Sequence, residues 1–268
     1  SQEPAPDPDK DPDPQEPPDQ ASSSRRSSRR SSGRAVIARS YRRIFSDAAG
    51  RVYKREHQDV LAAARKHLGQ RDRRSGEEFA KWLEAYYRDF PARAARDLAP
   101  GFFALGDAIH AAAADEIGVD PDQEAQVQAA IQAHIDGVVQ RMAGRSQAKI
   151  KELQAAAEEE AFLDELDSML GSWEESKPDR LALWETVRTA GLVAGTVWAA
   201  KGLLTQVWRA GPDACPFCQE LDGTVVAIGS AFVNETDGLE VGGESFTPGW
   251  NATTPPIHDG CECDISPG

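Results

Sequence analysis

A mainly α-helical chain closing in a small, cysteine-stapled α/β module with short strands is the fold that this sequence predicts, on three observations. Apolar residues recur at three- and four-residue spacing from Ala35 to about Ala210. After Ala210 the composition turns to Gly, Pro, Thr, Val and Asn, with β-like runs such as Thr224-Val225-Val226-Ala227-Ile228. All four cysteines, Cys215, Cys218, Cys261 and Cys263, fall in the last 54 of the 268 residues.

Residues 1–34 read as a disordered tether, acidic and Pro-rich first and Ser/Arg-rich after. Residues 1–20 carry seven acids and one Lys, with no apolar side chain large enough to offset chain entropy. The run SSSRRSSRRSSGR is low-complexity and positive. It reads either as a solvated linker or as a DNA contact, in which Arg25, Arg26, Arg29, Arg30 and Arg34 neutralise phosphates and release counterions. Phosphorylation of its serines would reverse the sign.

Net charge sharpens the division. The chain carries −14 in all, but residues 21–74 hold sixteen bases against four acids, and the 194 residues that follow are at −20. A protein that coats nucleic acid along its whole length is excluded, while a basic stretch on an acidic body is not. A membrane span is also excluded from the reading, because the longest apolar stretch, Ala190 to Ala200, ends at Lys201 and about twenty residues are needed. No signal peptide is visible, for want of an apolar h-region.

Residues 35–177 read as a helical body. Val52, Val60, Leu61 and Leu68 punctuate its first part, and Ser75-Gly76-Glu77-Glu78 opens a second helix with Phe79, Trp82, Leu83, Tyr86 and Phe90 on one face. Pro91 punctuates that helix, and Ala99-Pro100-Gly101 separates a third that runs through Ile109. Asp120-Pro121 reads as a cap and first-turn proline. The Ala/Gln/Glu-rich run after it predicts one long helix to about Leu170, or two broken near Gly144. Pro178 then starts a final helix carrying Leu181, Trp184, Leu192, Val193 and Val197. Aromatic stripes at this spacing are core, and His57, His67, His110 and His134 are read as surface or satisfied core residues.

The segment after Ala210 is too short for a self-sufficient core and needs a staple. Cys215-Pro-Phe-Cys218 supplies two thiols, and His258-Asp-Gly-Cys261-Glu-Cys263 supplies an imidazole and two more. Two ligand pairs joined by a long loop are how a tetrahedral zinc site is assembled, and thiolate and imidazole suit that ion. Zinc would add the folding free energy that the module lacks. Five candidates compete for four positions, with His258 or Cys263 completing a set of Cys215, Cys218 and Cys261. A pair of disulfides is the alternative.

Catalytic readings of the same residues lack their settings. CPFC has the spacing of a thiol-disulfide redox motif, which needs a strand before it and a helix after it within a βαβ fold. Here a helix is expected to end just before the motif, and Leu221-Asp222-Gly223 turns the chain soon after. A zinc deaminase needs His-x-Glu ahead of its cysteine pair, and an HNH-type nuclease needs a second histidine. No phosphate loop or nucleophile elbow occurs. The expectation is a structural site and no enzyme.

From about Arg180 to Cys263 the sequence resembles the head-morphogenesis domain of tailed bacteriophages, found in minor head proteins related to the F protein of phage Mu. The resemblance rests on Arg180, on Glu185-Thr186 in swapped order, on Trp208, and on Asp213-Ala-Cys215-Pro-Phe-Cys218-Gln-Glu-Leu221-Asp222-Gly223. It closes on Pro255-Pro256-Ile-His258-Asp-Gly-Cys261-Glu-Cys263, where Asp259 stands for the usual Pro and Glu262 for the usual Arg. It covers about a third of the chain and implies that residues 178–268 form such a domain, with its Cys/His knuckle at 213–263 stapled by structural zinc. It further implies a minor capsid protein inside the phage head near the portal vertex. Portal or capsid proteins would be its partners, packaged double-stranded DNA would lie against residues 21–74, and its role would be in head assembly and DNA packaging or ejection. The acidic, Pro-rich start without Met fits a portal domain lying upstream. The other expectations are a thiol-disulfide oxidoreductase using CPFC and a zinc-ribbon module that binds nucleic acid.

Overall fold

The computed structural model describes residues 20–68, 73–122, 124–158 and 161–268; the acidic tether expected over residues 1–19 lies outside them. Apolar stripes at helical spacing bring four long helices together: α1 (Gln20–Leu68), α2 (Arg73–Glu116), α3 (Glu124–Ala156) and α4 (Phe162–Ala200). α1 lies against α2 and α4, and both of these also pack on α3. One continuous core results, in which Phe45, Phe79, Leu83, Phe102, Leu105, Ile109, Ile131, Ile135 and Trp198 are fully buried. Each such side chain contributes about 1.5–3 kcal/mol on leaving water.

That core explains where the helices depart from expectation. Pro91 and Pro100 lie inside α2, and Pro178 lies inside α4 rather than at a helix start. An internal proline costs about 3 kcal/mol. The stripe through Leu83, Phe90, Leu98, Phe102 and Leu105 stays buried across both α2 prolines, and its combined burial exceeds their cost. Gly144 likewise fails to break α3, whose buried residues run from Val127 to Ile150; the chain leaves the helix only after Ala156. Around Pro121 the chain is irregular, and α3 begins later, at Glu124. The Ser/Arg run, expected to be part of the tether, forms the beginning of α1. Arg is a good helix former and no proline interrupts the run. The boundary expected between residues 177 and 178 falls inside α4, so body and module share that helix.

Beyond α4 come β1 (Thr205–Arg209), α5 (Pro216–Glu220), β2 (Val225–Ala227), β3 (Leu239–Val241), β4 (Glu244–Phe246) and β5 (Asp264–Pro267). β1 is the centre of an antiparallel sheet of order β2-β1-β5, with Thr205 opposite Ala227 and Arg209 opposite Asp264. β3 and β4 form a separate hairpin. The mainly helical architecture with a small stranded C-terminal region is therefore as the sequence predicts. The sheet docks on the bundle through β5, which touches α1 and α4. Close approach at Gly191 of α4 helps set that packing, since a Cβ there would meet the Thr254 side chain at 2.9 Å. No described helix is long and apolar enough to cross a membrane.

Candidate metal centre

The module's own core is small and contains the cysteines themselves. Trp208, Leu221, Val233, Ala252 and Ile257 are buried with Cys218, Cys261 and Cys263. Two tight turns deliver the sulfurs. Cys215 occupies the N-cap position of α5 with Pro216 at its first turn, which places Cys218 on the helix, facing inward at 1% exposure. After it, the Thr224 N–H donates to the Leu221 carbonyl at 2.9 Å. The Asp222 carboxylate accepts from the Ala210 N–H at 2.9 Å, tying α5 back to the end of β1. In the second block the Cys261 N–H donates to the His258 carbonyl at 3.2 Å. Gly260 supplies the positive φ of 79° that this turn needs.

The two blocks, some forty residues apart in sequence, meet. Cys215, Cys218 and His258 form one group and Cys218, Cys261 and Cys263 another, each with its ligand atoms within 4.8 Å of one another. Cys218 belongs to both. His258 Nε2 lies 3.1 Å from Cys215 Sγ and 3.2 Å from Cys218 Sγ. Its other nitrogen, Nδ1, pairs with the Asp259 carbonyl at 2.8 Å. As donor to that oxygen, Nδ1 carries the proton, and the Nε2 lone pair faces the sulfurs, as in imidazoles that ligate metals. Cys218 Sγ and Cys261 Sγ are 3.7 Å apart, far beyond an S–S bond of about 2.05 Å. The Cys/His cluster is thus positioned to hold a metal ion.

The clustered thiols shift one another in opposite directions. Hydrogen bonds from Cys218, then from Cys263, hold the Cys261 thiol well below its usual range, against the effect of burial. The bond to Cys261, with one to Cys263 and burial, pushes Cys218 up. For Cys263 the bond with Cys218 acts downward, but Cys261 and burial outweigh it and raise the thiol. The thiols thus hold their protons unevenly, Cys261 giving one up most readily. A divalent cation would replace those protons.

Glu262 and Asp259, in the second ligand block, both face arginines. Glu262 pairs with Arg42 at 2.9 Å and Arg39 at 3.5 Å, both on α1, and Asp259 pairs with Arg180 on α4. Asp264 accepts from Arg34 Nη1 at 3.1 Å. The chain around the second ligand block is thereby fastened to the helical body at three points.

Arg34 itself needs correction as a DNA contact. It is 1% exposed, donates from Nε to Glu116 of α2 at 3.0 Å and from Nη2 to the Ile265 carbonyl, and stacks on Trp198. Its guanidinium has no face left for a phosphate, because body and module supply its acceptors through Glu116, Asp264 and Ile265. Arg25, Arg26, Arg29 and Arg30 lie early in α1, with side chains outside those described. Of the histidines read as satisfied, His57 lies between Asp167 and Glu174, His134 meets Glu185 at 2.8 Å, and His110 meets the Asp122 carbonyl.

A strand, β1, precedes the CPFC motif where a helix end was expected. The motif is followed by a helix of five residues only, and both neighbours of β1 run antiparallel, so the βαβ setting of thiol-disulfide enzymes is lacking. Sequence reasoning also missed the Val241-Gly242-Gly243-Glu244 hairpin, although Gly-Gly between apolar runs is a recognisable signal. The long-range arginine pairs carry no local signal and could not have been read. Against known proteins, the chain matches no family model, no curated protein and no solved structure.

Proposed function

We propose that this chain is a structural minor capsid protein of a tailed phage, held inside the head near the portal vertex. There its helical body and zinc-stapled module assist head assembly and DNA packaging or ejection. Portal or capsid proteins are its partners, and the basic stretch of residues 21–74, with Arg34 withdrawn from it, lies against packaged DNA. The observation that carries this reading is the meeting of Cys215, Cys218, His258, Cys261 and Cys263 in the order of blocks that the phage-head resemblance rests on. Other positions of that resemblance also have structural work: Trp208 is fully buried, and Glu185 and Thr186 are buried inside α4. Asp222 ties α5 to β1. Where the resemblance has an arginine, Glu262 binds the chain's own Arg39 and Arg42.

Zinc fits the donor set. Two sulfurs at about 2.3 Å from a tetrahedral ion lie about 3.8 Å apart, and the Cys218–Cys261 separation is 3.7 Å. Cys215, Cys218, His258 and Cys261 would hold the ion, because the His258 lone pair already faces two of the sulfurs. Cys263 would remain as a buried thiol beside Cys261. The ion supplies folding free energy to a module with a small core and no turnover chemistry. Elemental analysis of the purified chain should find one zinc per molecule, kept by Cys263→Ser and lost by His258→Ala. A metal-free protein that reduces a disulfide substrate would overturn the site and favour the redox reading. Immunodetection in purified phage particles tests the virion role, and absence from particles that package DNA normally would refute it.

A further inference from the structure

Residues 75–268, at net −20, hold thirteen bases, and five of them gather on one face of the bundle. Arg141 and Arg145 stand one turn apart on α3. Lys177 and Arg188 stand eleven residues apart on α4, which is three turns and therefore the same side, with Arg180 between them. The two helices are joined here by the 2.8 Å contact of His134 with Glu185. The charges are close enough to act on one another. Burial lowers Arg141 from its usual value, Glu185 opposes this, and Arg188 and Arg145 push it further down. Burial also brings Lys177 down to about 8, opposed by Glu56 and assisted by Arg145 and Arg180.

The acids within reach are already engaged. Glu185 is taken by His134, Asp259 by Arg180, and Glu174 by His57. Glu56 is buried and accepts from the Tyr87 hydroxyl at 2.6 Å. Among the described residues, Arg141, Arg145, Arg188 and Lys177 have no carboxylate in ion-pair contact. Lys177 instead lies 3.2 Å over the Trp173 ring. Like charges gathered without internal partners create a positive potential that attracts an external anion.

We infer that this α3/α4 face binds a phosphodiester backbone. The three arginine forks of Arg141, Arg145 and Arg188 match phosphate oxygens in geometry, where a carboxylate-bearing surface would meet an otherwise acidic body. From Lys177 to Arg188 the face extends about 16 Å along the helix, enough for several successive phosphates. The site is separate from the arm of α1 and does not depend on the virion reading or on the metal.

The test uses the full chain with Arg25, Arg26, Arg29 and Arg30 replaced by Ala, so that the arm is silent. Fluorescence anisotropy follows binding of a short labelled DNA duplex and of an RNA strand across a low-salt series. Adding Arg141→Ala, Arg145→Ala and Arg188→Ala should lower the slope of log affinity against log salt by about 2.7 for duplex DNA, roughly 0.9 for each phosphate no longer neutralised. The corresponding triple Lys variant should keep the slope, which separates lost charge from lost fold. Tighter binding of duplex or of RNA identifies the source of the phosphodiester. An unchanged slope in the triple Ala variant overturns the inference, as does equal, arginine-dependent binding of poly-glutamate. Failure of the arm reading would appear separately, as unaltered binding when only the four arm arginines are replaced.

Discussion

The helical body and the C-terminal module hold their chains in place by different means. The body buries a long, continuous apolar stripe on each of four helices, and its prolines and glycines are absorbed because many side chains share the load. The module buries few large residues, and three of its buried positions are cysteines. A core that consists partly of candidate ligand atoms would be only as stable as the ion they hold. One region should therefore yield gradually to mutation, and the other all at once.

The sharpest way to break the comparison is at Cys218, the residue common to both ligand groups. Cys218→Ser should abolish metal binding and unfold the module while leaving the far-UV helical signal of the body largely intact. Structural zinc is worth about 10 kcal/mol or more in small domains. Circular dichroism and metal analysis of one sample check this, and a folded, metal-free module would show that its apolar core suffices.

Next in size is Arg34, where body and module are joined. Arg34→Ala withdraws a buried cation from Glu116 and Asp264 and should cost about 3 kcal/mol in chemical denaturation. Leu105→Ala, inside the body alone, should cost about 2–5 kcal/mol with metal content unchanged. If Arg34→Ala behaves like a surface substitution, body and module are not coupled through it.

A smaller effect is expected at Gly191, where an added methyl meets Thr254. Gly191→Ala should lower stability by about 1 kcal/mol, within the usual range for overpacking, and loosen hydrogen-exchange protection of the nearby Ala252 amide, which donates to the Val233 carbonyl at 2.8 Å. The smallest concerns His57, between Asp167 and Glu174. Burial pulls its imidazole down, but hydrogen bonds and charge from both acids carry it above its usual value. A raised folded-state value means a contribution that is full below the unfolded value and lost as pH rises through the folded one. The Tm difference between wild type and His57→Gln should thus be largest near pH 5.5 and shrink towards pH 8.5, staying modest because both acids are about one-third exposed or more. A difference that grows with pH would invert the assignment.

The helical class, the position of the module and the ligand blocks were legible because each depends on local pattern. Three/four spacing marks a buried helical face, and Cys-x-x-Cys near a turn marks a candidate ligand pair. Helix ends were misread for the opposite reason. Pro91 and Pro100 carry strong local break signals and Pro178 a start signal, and all three were overridden by burial on both sides, which no local window contains.

The arginines show the same division. By sequence alone, Arg34 belongs with the Ser/Arg run, and nothing sets Arg141, Arg145 and Arg188 apart. The sequence by itself determined that the chain is helical, that its staple lies near the C-terminus, and which five side chains could hold a metal. Only the tertiary structure decided that Cys218 is common to both ligand groups, that Arg34 is interior, and that a cationic face forms on an acidic body. Local pattern sets the intrinsic preference of a segment, whereas the sign and value of a charge depend on neighbours brought close from elsewhere in the chain.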